Sequence, residues 1–88
     1  MEIVKSASAG TMESSDAYVE IEPADDLQIQ LESVVQQQFG DEIRNVVEQM
    51  LQENGVRKAN VRIIDRGALE CVIRARVETA ILRGKGEN

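Results

Sequence analysis

Apolar and polar residues alternate in three short segments, the pattern that is typical of half-buried strands. The alternation covers residues 17–22, 27–31 and 59–63. Residues 23–26, with the sequence PADD, separate the first two segments and have the composition of a turn. The pattern therefore predicts that the first two strands pair as an antiparallel hairpin.

Two longer segments carry apolar residues at helical spacing. The first starts near Ser33 and ends at Asn54 and Gly55, a pair typical of helix C-termini. Its apolar stripe consists of Val35, Phe39, Ile43, Val46, Val47, Met50 and Leu51. The second helix is predicted over residues 68–82, and its core face consists of Leu69, Val72, Ile73, Val77, Ala80 and Ile81. A short edge strand is predicted over residues 9–13, which turns at residues 14–16.

The order of the elements predicts an α+β fold. We expect a small, mostly antiparallel sheet of three to four strands with two helices packed on one face, since one helical layer suffices to cover such a sheet. A chain of 88 residues is the size of one domain, so residues 1–88 are assigned to a single domain. Residues 84–88 are predicted to be a frayed tail.

Charge is distributed unevenly along the chain, whose net charge is −6. Residues 6–43 contain no lysine or arginine, whereas residues 44–88 are mildly basic. The acidic half disfavours binding to nucleic acid and suits a basic protein partner, although such a surface is equally typical of simple solubility. Its acids are Glu13, Asp16, Glu20, Glu22, Asp25, Asp26, Glu32, Asp41 and Glu42.

Several kinds of chemistry are excluded by composition. The chain has no histidine, so it cannot supply a Ser-His-acid or Cys-His site by itself. Its single cysteine, Cys71, rules out an intrachain disulfide, and we expect it to be a small, buried apolar side chain. No segment resembles a signal peptide or a membrane span, so we expect a soluble, cytoplasmic protein that binds neither metal nor membrane.

A small polar cluster near the start of the chain contains the most promising hydroxyl groups. It reads AGTMESSD over residues 9–16 and places Ser14 and Ser15 on a predicted exposed turn. A serine without an activating base can still be an attachment point for a group that another enzyme transfers. From the residues alone, ordinary turn sequence is the better interpretation of Ser-Ser-Asp, because Ser and Asp side chains bond to their own backbone in turns.

Three ordered blocks carry a resemblance to a known family. They are AGTMESSD at residues 9–16, QFGDEIR at residues 38–44 and GALECVIRAR at residues 67–76. Together they resemble the acyl carrier (gamma) subunit of bacterial citrate lyase. In that family the serine after Ala-Gly-Thr-x-Glu, here Ser14, bears a covalent prosthetic group.

The resemblance implies the following expectations. Ser14 would hold phosphoribosyl-dephospho-coenzyme A through a phosphodiester, within a mobile segment at residues 1–16. The other nearby hydroxyls are those of Ser8, Thr11 and Ser15. The chain would have no catalytic activity and would work with the alpha (acyl transferase) and beta (citryl lyase) subunits, a prosthetic-group transferase and an acetylating ligase.

Three other functions are alternatives to that of a citrate lyase carrier. A carrier for a malonate decarboxylase system would use the same kind of prosthetic group. An unmodified acidic adaptor would leave Ser14 free, and a hydrolase that used Ser14 is disfavoured by the missing base. For Arg74 and Arg76 the alternatives are phosphate or partner binding and pairing with neighbours on the helix, such as Glu70.

Overall fold

The computed structural model describes residues 2–34 and 36–86, and only the backbone of residues 36–39. Within this part of the chain there are four strands and two helices, which confirms the α+β class and the additional first strand. In chain order the elements are β1 (Ala7–Gly10), β2 (Ala17–Pro23), β3 (Leu27–Ser33), α1 (Gln36–Glu53), β4 (Ala59–Asp65) and α2 (Glu70–Gly84).

The strands form one mixed sheet in the order β1-β2-β4-β3. β2 is antiparallel to both β1 and β4, whereas β3 is parallel to β4. The predicted hairpin between β2 and β3 is therefore wrong, because β4 lies between them. Alternation shows which face of a strand is buried but does not show which strand lies beside it.

The central position of β4 has a physical reason. Its residues are the most completely buried of any strand described, so it gains most from a neighbour on each side. The connection between β2 and β3 passes the start of β4, where the Ala59 amide donates to the Asp26 carbonyl over 3.1 Å. β3, α1 and β4 then form a βαβ unit, which requires the parallel pairing.

The helices cover one face of the sheet, and the core lies between the two layers. In the core, Val19 of β2 lies opposite Ile63 of β4, which lies opposite Leu31 of β3. The buried residues of the helices confirm most of the predicted stripes where their side chains are described: Ile43, Val46, Val47, Met50 and Leu51 from α1, and Ile73, Val77, Ala80 and Ile81 from α2. The prediction that Leu69 lies on the core face is wrong, because α2 begins at Glu70 and Leu69, at its N-cap, is 72% exposed. Val72 is half-buried. Val35 and the side chain of Phe39 lie outside the described residues.

The C-terminus of α1 confirms the predicted glycine stop. Gly55 has a φ of 72° and donates to the Gln52 carbonyl, while the Val56 amide donates to the Leu51 carbonyl over 2.9 Å. These two bonds form a Schellman motif, which satisfies carbonyls that the helix leaves unpaired. At the end of α2, Gly84 is buried against Ile3 and Ile21. The frayed tail predicted at residues 84–88 stays a prediction, and residues 87–88 lie outside the described part.

The opposite face of the sheet is polar. Arg62 and Glu20 form an ion pair of 3.0 Å across β4 and β2, and Asn60 donates to Glu22 over 2.9 Å. These pairs satisfy polar groups beside a shallow cleft of about 330 Å³. The sheet thus separates an apolar, helix-covered side from a hydrogen-bonded, polar side.

Candidate attachment site

The predicted hydroxyl cluster lies in the connection between β1 and β2, at residues 11–16, which we call the serine turn. The Asp16 amide donates to the Glu13 carbonyl over 3.2 Å, so residues 13–16 form a β-turn. Ser15, at the third position, has a φ of 67°, as type II turns require. Ser14 therefore occupies the outer corner of this turn.

The Asp16 carboxylate holds the turn together from inside. The Thr11 hydroxyl donates to Asp16 Oδ2 over 2.6 Å, and the Ala17 amide donates to Asp16 Oδ1 over 2.7 Å. Thr11 Oγ1 also accepts a bond of 3.2 Å from the Glu13 amide. The threonine thus links the first half of the turn to the aspartate at its end.

Arg76 of α2 anchors the serine turn to the rest of the fold. Its Nε donates to Asp16 Oδ1 and its Nη2 donates to Asp16 Oδ2, each over 3.0 Å. Such a two-point pair fixes the orientation of both side chains. The Arg76 hydrogen bonds, followed by the bond from Thr11, hold the pKa of the Asp16 carboxyl well below its usual range.

Gly10 allows the chain to enter the turn. Its φ is 92°, and a Cβ added there would lie 1.9 Å from the carbonyl oxygen of Ala17 and 3.1 Å from Cδ of Arg76. Only glycine combines this backbone angle with so close an approach. The Gly-Thr part of the motif thus has a structural function in shaping the turn.

The loop between β4 and α2 supports the serine turn from the other side. The Ser15 amide donates to the Arg66 carbonyl over 2.8 Å, and the Arg66 amide donates to the Asp16 carbonyl over 2.9 Å. Arg66 thus bonds to two successive residues of the serine turn, directly beyond the end of the β2–β4 ladder at Ala17 and Asp65. Two elements far apart in sequence are thereby brought to one end of the molecule.

Asp65 holds this supporting loop in place and is 1% exposed. Its Oδ1 accepts bonds from the Gly67 and Ala68 amides over 3.2 and 2.9 Å. Its Oδ2 accepts a bond of 2.7 Å from the Ser33 hydroxyl at the end of β3. The buried carboxylate therefore joins the ends of β3 and β4 to the start of α2.

Ser14 is exposed, and among the residues that the structure describes none hydrogen-bonds its hydroxyl. The Thr11 hydroxyl is occupied by Asp16, and Ser8 lies half-buried within β1. Ser15 is exposed too, but its backbone is held in the left-handed conformation by Arg66. Ser14 and Ser15 thus both have exposed hydroxyls, and Ser14 is the one at the outer corner of the anchored turn.

Two expectations for side chains of α2 have different outcomes. Arg74 pairs with Glu70 over 3.3 Å, one of the alternatives considered. The prediction that Cys71 is buried is wrong, since its side chain is exposed. It lies next to the apolar stripe in sequence, but the helical rotation places it on the outer side.

The function of Arg76 was missed by sequence reasoning. Its partner Asp16 is 60 residues away, beyond the reach of a helical-spacing argument. The sequence shows Gly10 before the turn and Asp16 at its end, but no local sequence pattern connects these residues to Arg76 in the last helix.

Neither a cluster of metal-binding side chains nor a membrane-spanning helix is found among the described residues. No group of three or more metal-binding side chains occurs among them. Of the helices in the part of the chain described here, none is long and apolar enough to cross a membrane. The feature of this part of the chain that could serve attachment is the exposed Ser14 hydroxyl on the serine turn.

Comparison with known proteins assigns the family. Residues 4–84 match the family model for acyl carrier proteins described as malonate decarboxylase delta subunit. A citrate lyase acyl carrier protein from Escherichia fergusonii is 53% identical over 94% of this chain and 88% of the relative. One from Enterobacter sp. (strain 638) is 51% identical over 99% of this chain and 91% of the relative.

A solved structure has the same fold. A chain in the structure of a Pseudomonas malonate decarboxylase hetero-tetramer in complex with malonate superimposes with a TM-score of 0.75, covering 90% of this chain and 82% of that one. Its sequence identity is 24%, so the likeness concerns the fold alone. The identity to the two relatives over nearly the whole chain shows that the protein belongs to the family of citrate lyase acyl carrier proteins.

Proposed function

We propose that this chain carries acyl groups for citrate lyase on a prosthetic group attached to Ser14. The observation that carries the proposal is the exposed Ser14 hydroxyl, which lies at the corner of the anchored serine turn and in the family's attachment motif. Ser14 is exposed in the connection between β1 and β2. A modifying enzyme can therefore reach it without unfolding the carrier.

The group proposed is phosphoribosyl-dephospho-coenzyme A, held through a phosphodiester to Ser14 Oγ. When bound, it supplies a terminal thiol on which acetyl and citryl groups are carried as thioesters during cleavage of citrate to acetate and oxaloacetate. Ser14 Oγ would form the new bond to a phosphorus atom of an activated, polyphosphorylated donor of the group, while the bond from that phosphorus to the leaving polyphosphate breaks and the serine loses its proton. Because the chain has no histidine, the base that accepts this proton belongs to the separate transferase.

The carrier itself is proposed to be non-catalytic and to act as a tether. Holding the acyl group on a covalent arm makes its delivery to each active site effectively intramolecular. The active sites would belong to an acyl transferase (alpha) and a citryl lyase (beta) subunit, after acetylation by a dedicated ligase. The proposed location of this complex is the cytoplasm.

The acids of the serine turn have different functions in this proposal. Both carboxylate oxygens of Asp16 are bonded to Arg76, so Asp16 is assigned a structural function. Glu13 is exposed and is the acid that would repel the phosphates of the arm. Salt screens such a surface charge, so Glu13→Gln should change citrate cleavage only slightly, and most visibly at low ionic strength.

A second candidate function is the carrier of a malonate decarboxylase. The description of the matching family model favours it, as does the fold shared with a chain of the malonate decarboxylase hetero-tetramer. The relatives with about half of their residues identical bear the citrate lyase name, which ranks this alternative second. The two carriers differ in the partners that accept them.

Intact-mass measurement with peptide mapping tests the proposal. The chain is expressed in its native host under citrate-fermenting conditions, as the wild type and as the Ser14→Ala and Ser15→Ala variants. We expect a phosphoribosyl-dephospho-coenzyme A increment on the wild-type peptide that contains Ser14. The increment should persist in Ser15→Ala and be absent from Ser14→Ala.

The other outcomes each have a definite meaning. An increment that persists in Ser14→Ala but is lost in Ser15→Ala would move the attachment to Ser15. An unmodified wild-type chain in cells that cleave citrate would favour the acidic adaptor. A modified chain that restores malonate decarboxylation, but not citrate cleavage, would favour the second carrier function.

A further inference from the structure

A groove lies at the same end of the molecule as the serine turn. It opens between the second and third turns of α1 and the first turn of α2, and has a volume of about 220 Å³. Apolar side chains form most of its lining, and carboxylates of the two helices lie at its edge. The residues that the argument uses are Glu42, Ile43, Val46, Leu69, Glu70 and Ile73.

Large apolar side chains are exposed around this end. Leu69 is 72% exposed, Val34 is 65% exposed and Met12 is 50% exposed. Their segments are joined by backbone hydrogen bonds, because the Val34 amide donates to Asp65 and the loop that follows Asp65 is bonded to the serine turn. Exposed apolar side chains grouped in this way, beside a groove, are typical of protein interaction sites.

The groove is close to the proposed attachment site. Arg66 forms two backbone hydrogen bonds with the serine turn, and Leu69 follows Arg66 by three residues. Three residues of fully extended chain span at most about 11 Å. A protein that contacts Leu69 is therefore held within a short distance of Ser14.

Charge at the groove indicates the chemistry of its partner. Glu42 and Glu70 line the groove and are exposed, on a chain of net charge −6. The Glu70 carboxylate forms an ion pair with Arg74. Glu42 lies within residues 6–43, the acidic segment that contains no lysine or arginine. A basic surface with an apolar side chain at its centre complements this arrangement.

We propose that the groove docks an apolar side chain presented from a basic surface of a larger subunit of the same complex, and thereby positions Ser14 at that subunit's active-site entrance. The inference rests on the proposed carrier function and adds to it the surface that the partner recognises. The carrier's own arm is a less suitable occupant, because its phosphates would meet Glu42 and Glu70.

Binding of the full-length chain to separately purified alpha and beta subunits tests this surface. Leu69→Gln is compared with Val4→Gln, a matched control that is 64% exposed. Val4 is bonded to Gly84 at the far end of α2, about 22 Å from the start of that helix. We expect Leu69→Gln to weaken binding to at least one subunit by about tenfold or more, and Val4→Gln to change it less than about twofold.

A charge reversal tests the basic character of the partner. Glu42→Lys should slow association and weaken its dependence on salt, whereas Glu48→Lys, on an exposed part of α1 outside the groove, should have a smaller effect. Circular dichroism and the unfolding midpoint verify that all four variants are folded. Equal effects of Glu42→Lys and Glu48→Lys would contradict a docked basic surface.

The outcomes separate this inference from the carrier function. Binding is measured both with the unmodified chain and with the chain that carries the arm, and the mass of the chain from native cells is measured in parallel. If Ser14 is modified but Leu69→Gln binds like the wild type, or the wild-type chain binds neither subunit, the docking surface is wrong and the carrier function stands. If Leu69→Gln weakens binding only when the arm is attached, the groove holds the arm and the inference is equally wrong. A wholly unmodified chain in citrate-cleaving cells would overturn the carrier function itself.

Discussion

Asp16 is the residue on which the geometry of the serine turn depends. It accepts hydrogen bonds from Thr11 and Ala17 within the turn and from Arg76 on the last helix. A single carboxylate thus determines both the local shape of the turn and its position on the fold. Residues that support Asp16 should therefore affect modification of Ser14 without touching the prosthetic group.

Loss of the anchor is tested by Arg76→Ala. Removing the guanidinium leaves the Asp16 carboxylate bonded only to Thr11 and Ala17, while the backbone bonds to Arg66 remain. The turn should therefore become more mobile, and the unfolding midpoint should fall by a few degrees. We expect prosthetic-group transfer to Ser14 to slow by about tenfold, since misplacing a reacting group is costly. Arg74→Ala is the control, because Arg74 pairs with Glu70 on the helix surface and should have little effect on either measurement.

The pH dependence of stability follows from the lowered pKa of Asp16. Because its pKa is lower in the folded chain than its ordinary value of 3.8, the carboxylate stabilises the fold at neutral pH. This contribution is complete above that ordinary value and is lost as the pH falls below about 4. The wild type should therefore lose more stability between pH 5 and pH 2 than Asp16→Asn does.

Urea midpoints measured as a function of pH check this difference. Asp25→Asn removes one acidic charge from the exposed β2–β3 connection and separates the local effect from that of net charge. Parallel profiles of the wild type and Asp16→Asn would show that the Arg76 pair does not stabilise the fold.

Gly10→Ala tests the close approach at the entrance to the turn. The added Cβ would lie 1.9 Å from the Ala17 carbonyl oxygen, so we expect a loss of about 3 kcal/mol in the free energy of unfolding. Gly67→Ala is a matched control with a similar φ of 89° and no atom within 4 Å of the new Cβ. It should cost only about 1 kcal/mol, which is the backbone strain by itself. Urea denaturation measures both, and equal losses would mean that the steric contact relaxes.

Among the elements, β4 decides the arrangement of the sheet. It pairs with β2 on one side and with β3 on the other, and its last residue, Asp65, bonds to the start of the next helix. The supporting loop and the serine turn meet only because β4 lies next to β2. The topology of the sheet therefore brings the serine turn and the loop between β4 and α2 to the same end of the molecule.

Asp65→Asn tests the junction at the end of β4. An amide nitrogen cannot accept the bonds that Oδ1 or Oδ2 accept, and the site is buried, so we expect a loss of about 2 kcal/mol in stability. Asp26→Asn, which changes an exposed carboxylate that accepts from Leu27, should cost only a few tenths. Chemical denaturation compares the two, and a similar small loss at both positions would contradict a structural function for Asp65.

The whole molecule has two ends of different character. One end combines the serine turn, the loop that follows Asp65 and the groove, whereas the other contains the end of α2 and Val4. The proposed functions of attachment and docking therefore share one end. The mobility predicted for residues 1–16 would affect the end that contains the serine turn, and it stays a prediction.

Hydrogen exchange followed by NMR tests that mobility. β1 is paired with β2 and Ile3 is buried, so we expect fast exchange to be concentrated at residues 11–14. The hydrogen-bonded amides of β1 should exchange at least about tenfold more slowly. Uniformly fast exchange over residues 2–16 would instead support mobility of the entire segment. Uniformly slow exchange over the same residues would contradict the predicted mobility.

Sequence patterns predicted the elements but not how the strands are ordered. The burial of Val19 and Ile21 on one side of β2, and the glycine stop of α1, follow from local periodicity and turn chemistry. The pairing of β2 with β4 is a contact between distant segments, which local periodicity does not encode. The predicted hairpin failed for this reason, and so did the burial of Cys71, since helical rotation near a stripe edge depends on packing.

For this protein, the sequence by itself determined the class of the fold, the two amphipathic helices and the motif that contains Ser14. Each depends on residues close together in the chain. Only the tertiary structure decided that Arg76 anchors Asp16, that Arg66 supports Ser15, and that the groove opens beside the serine turn. These contacts join residues tens of positions apart, and they form because β4 and α2 pack where the buried apolar area is greatest.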